Sequence, residues 1–355
     1  MNFENIIDAK SEWLNADGPN SDIVISSRIR LARNIKGYPF PHRGEHNSNI
    51  EIMEIILSAL KKTGFFKGGF IVKMSDLSDL DKQMLLEKHL ISKEHLIGQI
   101  GSAVAVSKNH DLSVMVNEED HLRLQVLKAG FRLDECWNLI NSFDSELEKY
   151  LDFAFSPNLG YLTSCPTNVG TGMRASVMIH LPGLVLMDLI NKVMQAVLKL
   201  GLAVRGFYGE GSEILGNLFQ VSNQITLGKK EYEIISSITR VLDLVIEHER
   251  NSREMLRKTG EEKLKDRIGR AYGILTNAYL ISTKETIALL SALRLGMDME
   301  YISGIDKGTI NELFILTQPA HLQLKTGQAL DPDARDIKRA KLIREKLGTN
   351  KINDK

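Results

Sequence analysis

Cysteine is nearly absent: of 355 residues, only Cys136 and Cys165 carry a thiol. Two thiols cannot build a disulfide framework or a C-x-x-C metal knuckle, and their scarcity fits a reducing, cytoplasmic compartment. Net charge is absent as well, with 45 Lys+Arg against 45 Asp+Glu. Nothing global therefore favours nucleic acid or an anionic membrane, and any phosphate binding has to come from local arginine clusters. The N-terminal MNFENIIDAKSEW is acidic and amphipathic and lacks the apolar core of a secretory leader. The most apolar stretch, LPGLVLMDLINKVMQAVLKLGLAV, is interrupted by Asp188, Lys192 and Lys199. It reads as a core-facing amphipathic helix, not a membrane span. No internal repeat, no low-complexity run and no lysine-containing P-loop occurs.

What remains is an ordinary globular composition, 43% hydrophobic and 25% charged, long enough for one large or two ordinary domains. FIVKM reads as a strand and SAVAVSKNHDLSVMV as a hairpin around a Lys-Asn-His-Asp turn. YLTS, RASVMIHL, LAVRGFY and NLFQVSNQIT read as further strands, and helices come in blocks such as 182–200. Hairpin-like succession predicts an α+β fold, an antiparallel sheet flanked by helices, not a doubly wound parallel sheet. After about residue 228 only helical patterns appear, beginning with EYEIISSITRVLDLVIEHERNSREMLRKTG. The expected division is a sheet-bearing domain over 1–252 and an all-helical domain over 253–355.

Chemistry-bearing residues concentrate in the first part. In SDIVISSRIRLARN, an extended chain puts Arg28 and Arg30 on one side and Ile29 and Leu31 on the other. Two arginines alone are most simply a solvated strand face. In NEEDHLRLQV, Leu122, Leu124 and Val126 share one parity. Glu119, His121, Arg123 and Gln125 share the other, with Glu118 on the opposite face; the plain alternative is a charged surface hairpin. Arg174 opens the strand RASVMIH after a glycine-rich turn, and Arg205 precedes a second glycine-rich bend that carries Glu210. Arginine suits multidentate phosphate recognition. The Cys-x8-Arg spacing of SCPTNVGTGMR does not match the Cys-x5-Arg of a phosphatase loop. His121 and His180 are candidate partners for a nucleophilic Cys165 without a local signature, and a buried cysteine is the competing reading.

Taken together, SSRIRLARN, VNEEDHLR, LTSCPTNVGTGMR, RGFYGEGSE and QVSNQITLG occur in an order that resembles the ATP:guanidino phosphotransferases, the phosphagen kinases. SSRIR begins at residue 26, so the long helical N-terminal domain of the metabolic members is largely missing, and an extra helical region follows instead. That layout is similar to the bacterial protein-arginine kinase branch. Arg335-Asp-Ile-Lys-Arg339-Ala340 matches that branch's R-D-x-x-R-A motif. The resemblance implies transfer of the γ-phosphoryl of Mg-ATP to arginine side chains of proteins, marking them for regulated proteolysis and controlling stress-response repressors. It implies Glu119 as general base, Glu210 as second carboxylate and Cys165 as a thiolate that positions the guanidinium. It assigns ATP to Ser27, Arg28, Ile29, Arg30, His89, Arg123, Arg174, Ala175, Ser176, Val177, Met178, Arg205, Gly206, Phe207, Tyr208 and Gly209. No protein group binds the metal directly, although Glu118 would support Mg²⁺ through water. Arg335, Asp336, Arg339 and Ala340 would form an allosteric phosphoarginine site. Implied partners are a heat-shock repressor and unfolded proteins as substrates, a zinc-binding activator protein, a Clp-type protease and a second copy of the chain, with no direct nucleic acid and no membrane. The alternatives are a free-arginine phosphagen kinase and a non-catalytic phosphoarginine-binding adaptor.

Overall fold

The alternation read in SDIVISSRIRLARN becomes β1 (Val24–Arg33), the centre of the sheet. The computed structural model describes residues 6–7, 9–98, 100–206 and 215–348. After β1 come α1 (His46–Thr63), β2 (Phe70–Lys73), α2 (Asp79–Glu87), α3 (Lys93–Ile97) and the hairpin of β3 (Ala103–Val106) and β4 (Leu112–Val116). Next are β5 (Leu122–Ala129), α4 (Leu133–Leu147), a short ribbon of β6 (Phe155–Ser156) and β7 (Gly160–Tyr161), and β8 (Met173–His180). Helices α5 (Pro182–Leu186) and α6 (Ile190–Lys199) lead to β9 (Leu202–Arg205) and β10 (Leu218–Asn223). The elements that follow among the described residues are helices: α7 (Glu231–Asn277), α8 (Thr283–Asp298), α9 (Lys307–Leu316), α10 (Pro319–Thr326) and α11 (Pro332–Lys346).

Eight strands form one sheet in the order β2-β3-β4-β5-β1-β8-β10-β9, and every pairing is antiparallel. This is the expected α+β arrangement. Register follows from burial, because a one-residue slip would turn the apolar set outward. Ile29 pairs with Val126 and Ala175, and Leu31 with Leu124 and Met173. That face is buried under Ile52 and Ile56 of α1, Ile140 of α4 and Ile238 and Leu242 of α7. Each such side chain contributes about 1.5–3 kcal/mol on burial. The other face carries Arg28, Arg30, Arg123, Arg174 and Arg205.

Two expectations are corrected. The stretch 182–200 is not one core-facing helix. Pro182 opens α5, Asp188 takes a left-handed backbone (φ 57°), and α6 begins only at Ile190. Helix α6 lies over the edge strand β9, where there is little to cover, so Val197 is its only fully buried residue. In YLTS only Tyr161 is paired as strand.

Helix α7 runs without interruption through residues 252 and 253 and bends at Gly260 (φ −151°, ψ 30°). Its first half packs Ile234, Ile238 and Val245 on the sheet core, and its second half packs Leu264 and Ile268 against Leu295 of α8. A buried ionic network binds the two surroundings together. Glu249, fully buried, accepts from Gly183 N and Leu184 N (both 2.9 Å) at the start of α5 and from Arg253 Nε (2.7 Å). Arg253 also reaches Asp22 O (3.2 Å) and Asp298 (3.7 Å), and Asp298 pairs with Lys307 (2.7 Å).

Removing one partner of a buried network leaves desolvated groups behind. Glu249→Ala is expected to cost about 3–5 kcal/mol in urea unfolding. Arg250→Ala, which breaks the solvent-facing pair with Asp22, should cost about 1 kcal/mol or less.

Candidate active site

One cleft of about 890 Å³ lies on the arginine face and gathers Arg28, Arg30, Arg123, Arg174 and Arg205. Strand alternation puts them there. Arg30 sits directly opposite Arg174 across the β1–β8 pair, Ala32 opposite Arg123, and Gln220 opposite Arg205. The other strand residues of this face in β1, β5, β8, β9 and β10 are Ala, Gln, Leu, Ser, Met and His, so the face itself holds no carboxylate. Arg28 Nε donates to Ser176 Oγ (3.3 Å). Burial, then repulsion from Arg123, Arg174 and Arg205, pushes the Arg28 guanidinium down to about 10. Burial and the neighbouring arginines also lower Arg30. Arginine guanidiniums keep their charge in proteins at neutral pH, so the surface selects a ligand with several negative charges.

The carboxylates come from the turn between β4 and β5. Asn117 takes a positive φ (52°), and its Nδ2 donates to Asn49 O and Gly101 O (both 2.8 Å), which fixes the turn. The turn overturns the parity expected for Glu118. Instead of facing away from Arg123, the chain curls back and Glu118 lines the same cleft. Arg123 Nη1 donates to both its oxygens, 2.6 Å to Oε2, and Ser92 Oγ donates to Oε1. Burial would raise the Glu118 carboxyl, but the charge and hydrogen bonds of Arg123 win and hold it down at about 2. Glu119 stands at the cleft mouth. Burial, then Asp120, raise its carboxyl against the pull of Arg123. A more basic carboxylate is suited to accept a proton.

Asp120 was missed by the sequence reading, although it lies inside NEEDHLR. It is buried and accepts from Asn34 Nδ2 and Ser164 N (both 2.6 Å), while Ser164 Oγ donates to Glu119 O (2.7 Å). These bonds stitch the Glu119 turn to the loop that carries Cys165. Cys165 is partly exposed, with Sγ 3.0 Å from Thr167 Oγ1, and lines the cleft. The buried thiol is Cys136 instead. His121 Nδ1 accepts from Ile35 N (3.0 Å) and its Nε2 donates to Pro39 O (2.9 Å). His180 bonds Ser291 Oγ (2.8 Å), so both rings serve structure and not Cys165.

The glycines after Cys165 are sterically required. Gly172 has φ 65°, and a Cβ there would lie 2.6 Å from Ala32 O and from Arg33 Nη1. Arg33, also unassigned from sequence, locks this loop. It pairs with Asp144 (2.7 Å), donates to Ala32 O (2.9 Å) and Thr171 O (3.0 Å), and lies 3.5 Å over the Tyr161 ring.

His89 lines the cleft, edge-on to Trp13 (5.4 Å), and burial followed by Arg28 pushes its ring down to about 3, so it is neutral. Ser176 and Met178 lie on the arginine face. Ser27, Ile29, Ala175 and Val177 turn their side chains to the opposite face, so only their main chain can meet a ligand in the cleft. Gly206 directly follows Arg205, whereas Phe207, Tyr208, Gly209 and Glu210 lie outside the described residues. Arg335, Asp336, Arg339 and Ala340 sit on α11 and do not line this cleft. Arg339 is 1% exposed, with Nε on Thr317 O and Nη1 on Ile281 O (both 2.8 Å), and it also meets Asp336. Arg335 is partly exposed one turn earlier.

Residues 51–252 match the family model of the ATP:guanido phosphotransferase C-terminal catalytic domain. Residues 261–355 match that of the protein-arginine kinase McsB C-terminal domain. A protein-arginine kinase of Halothermothrix orenii is 49% identical over 348 residues, 98% of this chain and 99% of that one. One from Bacillus cereus is 48% identical over 354 residues, 99% and 100% of the two chains. Among solved structures, the duplicated taurocyamine kinase of Schistosoma mansoni aligns with a TM-score of 0.59 at 26% identity, over 64% of this chain and 33% of that one. Lombricine kinase aligns with a TM-score of 0.58 at 22% identity, over 70% and 76%, a likeness of fold.

The Glu118–Arg123 pair has a pH signature. A carboxyl depressed from 4.5 to about 2 contributes stability that is present above pH 4.5 and is lost as pH falls toward 2. Urea midpoints measured between pH 5 and 3 should fall more steeply for the unaltered protein than for Glu118→Gln.

Proposed function

The chain belongs to the ATP:guanido phosphotransferase family, and we propose that within it this protein is an ATP-dependent protein-arginine kinase. The observation that carries the reading is the meeting of five cleft arginines with a proton-accepting Glu119 and a partly exposed Cys165 at one end of the same cleft. A guanidinium keeps its proton to above pH 12 and is a poor nucleophile, so its phosphorylation needs orientation, proton removal and neutralisation of the phosphoryl donor. Arg28, Arg30, Arg123, Arg174 and Arg205 hold the triphosphate of ATP. His89, with the main chain at Ser27, Ile29, Ala175, Val177 and Gly206 and the side chains of Ser176 and Met178, shapes the rest of the nucleotide site. Glu119 orients the target guanidinium and takes its proton as the N–P bond forms and the bond from the γ-phosphorus to the β,γ-bridging oxygen breaks, leaving ADP. Cys165, as thiolate, pairs with the guanidinium without forming a covalent bond. Glu210 is the second carboxylate by its place in the RGFYGEGSE motif.

Mg²⁺ supplies charge neutralisation of the phosphates. Among the described residues no three His, Cys, Asp or Glu side chains are arranged to hold a metal ion. Glu118 is already engaged by Arg123 and Ser92. A metal bound with the nucleotide would be supported by Glu118 through water and would supply charge neutralisation there.

The full-length likeness to protein-arginine kinases supports a protein substrate over free arginine. We further propose a catalytic unit over 1–252 and a helical unit over 253–355, with Arg335, Asp336, Arg339 and Ala340 forming an effector site for phosphoarginine. The proposed setting is the cytoplasm, as a homodimer. The modified arginine marks unfolded proteins for a Clp-type protease and inactivates a heat-shock repressor, with a zinc-binding protein as activator.

Phosphorus NMR with Mg-ATP and an arginine-rich unfolded protein, run beside free arginine, tests the reading. A phosphoramidate signal on the protein is expected; a signal on free arginine alone would assign a phosphagen enzyme instead. Glu119→Gln should lower kcat by about 10²–10⁴-fold with little change in ATP binding. Because the Glu119 carboxyl is raised, and a base works only deprotonated, the acid limb of the rate should begin above the usual carboxylate range. Asp120→Asn, which loosens Ser164 from the Glu119 turn, should lower kcat by roughly 10²-fold at near-normal KM for ATP.

A further inference from the structure

One wall of the nucleotide cleft hangs from the end of α2. Leu86, His89, Ile91 and residues 92–95 all line the cleft. The two residues between Leu86 and His89 are instead anchored away from it. Glu87, 3% exposed, accepts from Ala320 N (2.9 Å), His321 N (3.1 Å) and His321 Nδ1 (2.8 Å). Lys88, also 3% exposed, donates to Ala9 O (2.8 Å) and to Ile6 O. The wall is thus bolted to the helical region by one residue and to the N-terminal segment by the next.

The bond to α10 is an unusual cap. Pro319 opens the helix and has no N–H, and its N-cap Gln318 makes no side-chain cap bond. The first two N–H groups of α10 are satisfied by a carboxylate from α2, 233 and 234 positions earlier in the chain. A negative charge is favourable there. The same junction is held from its other side by α11, where Arg339 Nε donates to Thr317 O, two residues before Pro319. On the cleft side the wall meets both ends of the nucleotide site. Gln125 Nε2 donates to His89 O (2.8 Å), and Ser92 bonds Glu118, which in turn holds Arg123.

We infer that Glu87 is a positioning residue for ATP: by fixing the 86–95 wall to the α9–α10 junction, it couples helix α11 to nucleotide binding. The role toward ATP rests on the proposed nucleotide cleft and the effector part on the proposed reading of α11; the anchoring itself stands on the bonds of Glu87.

The test is steady-state kinetics with varied Mg-ATP on an arginine-rich unfolded protein. Glu87→Gln keeps the size but loses the charge and part of the acceptor capacity. KM for ATP should rise about 5-fold or more, with kcat at saturating ATP and KM for the protein substrate within about twofold. Arg339→Lys should raise KM for ATP in the same way, and the double variant should be little worse than the worse single one. Unaltered KM for ATP in Glu87→Gln would overturn the proposal, as would a loss of kcat alone, which marks a general folding defect, or single effects that simply multiply. Should Glu87→Gln fail to fold, His321→Ala, which spares the two main-chain bonds, should still raise KM for ATP about 2-fold; no rise overturns the proposal. If added phosphoarginine leaves KM for ATP of the unaltered protein unchanged, the effector reading of α11 falls while the Glu87 result decides the positioning role.

Discussion

The structure depends on one electrostatic constraint: five guanidiniums share one sheet-face cleft, and no carboxylate stands among them on the strands. Repulsion of this kind would splay a flexible surface. Here the arginines are fixed by strand register, and register is fixed by the apolar set on the reverse face. Ile29, Leu31, Leu124 and Val177 therefore set the arginine spacing as directly as the arginines do. The core stores the cost of holding like charges together, and a polyphosphate releases it on binding. Pre-set positive charge also needs no reorganisation as a phosphoryl group moves, which is the condition for large electrostatic stabilisation of a transition state.

Carboxylates had to be kept off the arginine plane, or they would neutralise it. The fold places them on a turn at the rim and gives adjacent ones opposite environments. Glu118 is surrendered to Arg123 and Ser92 and loses its basicity. Glu119, one residue on, is more basic than an ordinary carboxylate. Asp120 ties the turn to Ser164, so Glu119 and the Cys165 loop are held by one short bonded path. Three consecutive acids in three different environments let a single turn hold a charge clamp, a more basic carboxylate and a brace.

Much of this was legible from local pattern. Period-two alternation located β1 and β5 and the side to which their arginines point, and RASVMIH was read as a strand opened by Arg174, which is β8. What was not legible depends on geometry beyond local alternation. The side of Glu118 was misread because a turn with Asn117 at positive φ ends the alternation before β5 begins. The 182–200 stretch looked like one helix because apolar periodicity carries no trace of the break at Asp188, or of how little an edge strand needs to be covered. Arg33, Asp120 and Glu249 went unassigned because their partners are distant in sequence: Asp144, Asn34 and the start of α5. A charged residue inside an apolar run announces that a partner exists but not which one.

The two halves of the chain are not independent bodies joined by a linker. Helix α7 supplies side chains to the sheet core and to the helical core, and the Glu249–Arg253–Asp298 network fills the space between them. Glu87 and Lys88 extend the same principle to the cleft itself, since the wall that carries His89 is anchored outside the sheet. A nucleotide site built only from the sheet would have rigid arginines and no means of sensing the rest of the molecule. One wall is instead tied to helices that come more than two hundred residues later. The phosphate-binding plane can then stay fixed while the wall against it is set by the helical region. The bonds that tie Glu119 to the Cys165 loop run through Asp120 and Ser164 and do not involve this wall.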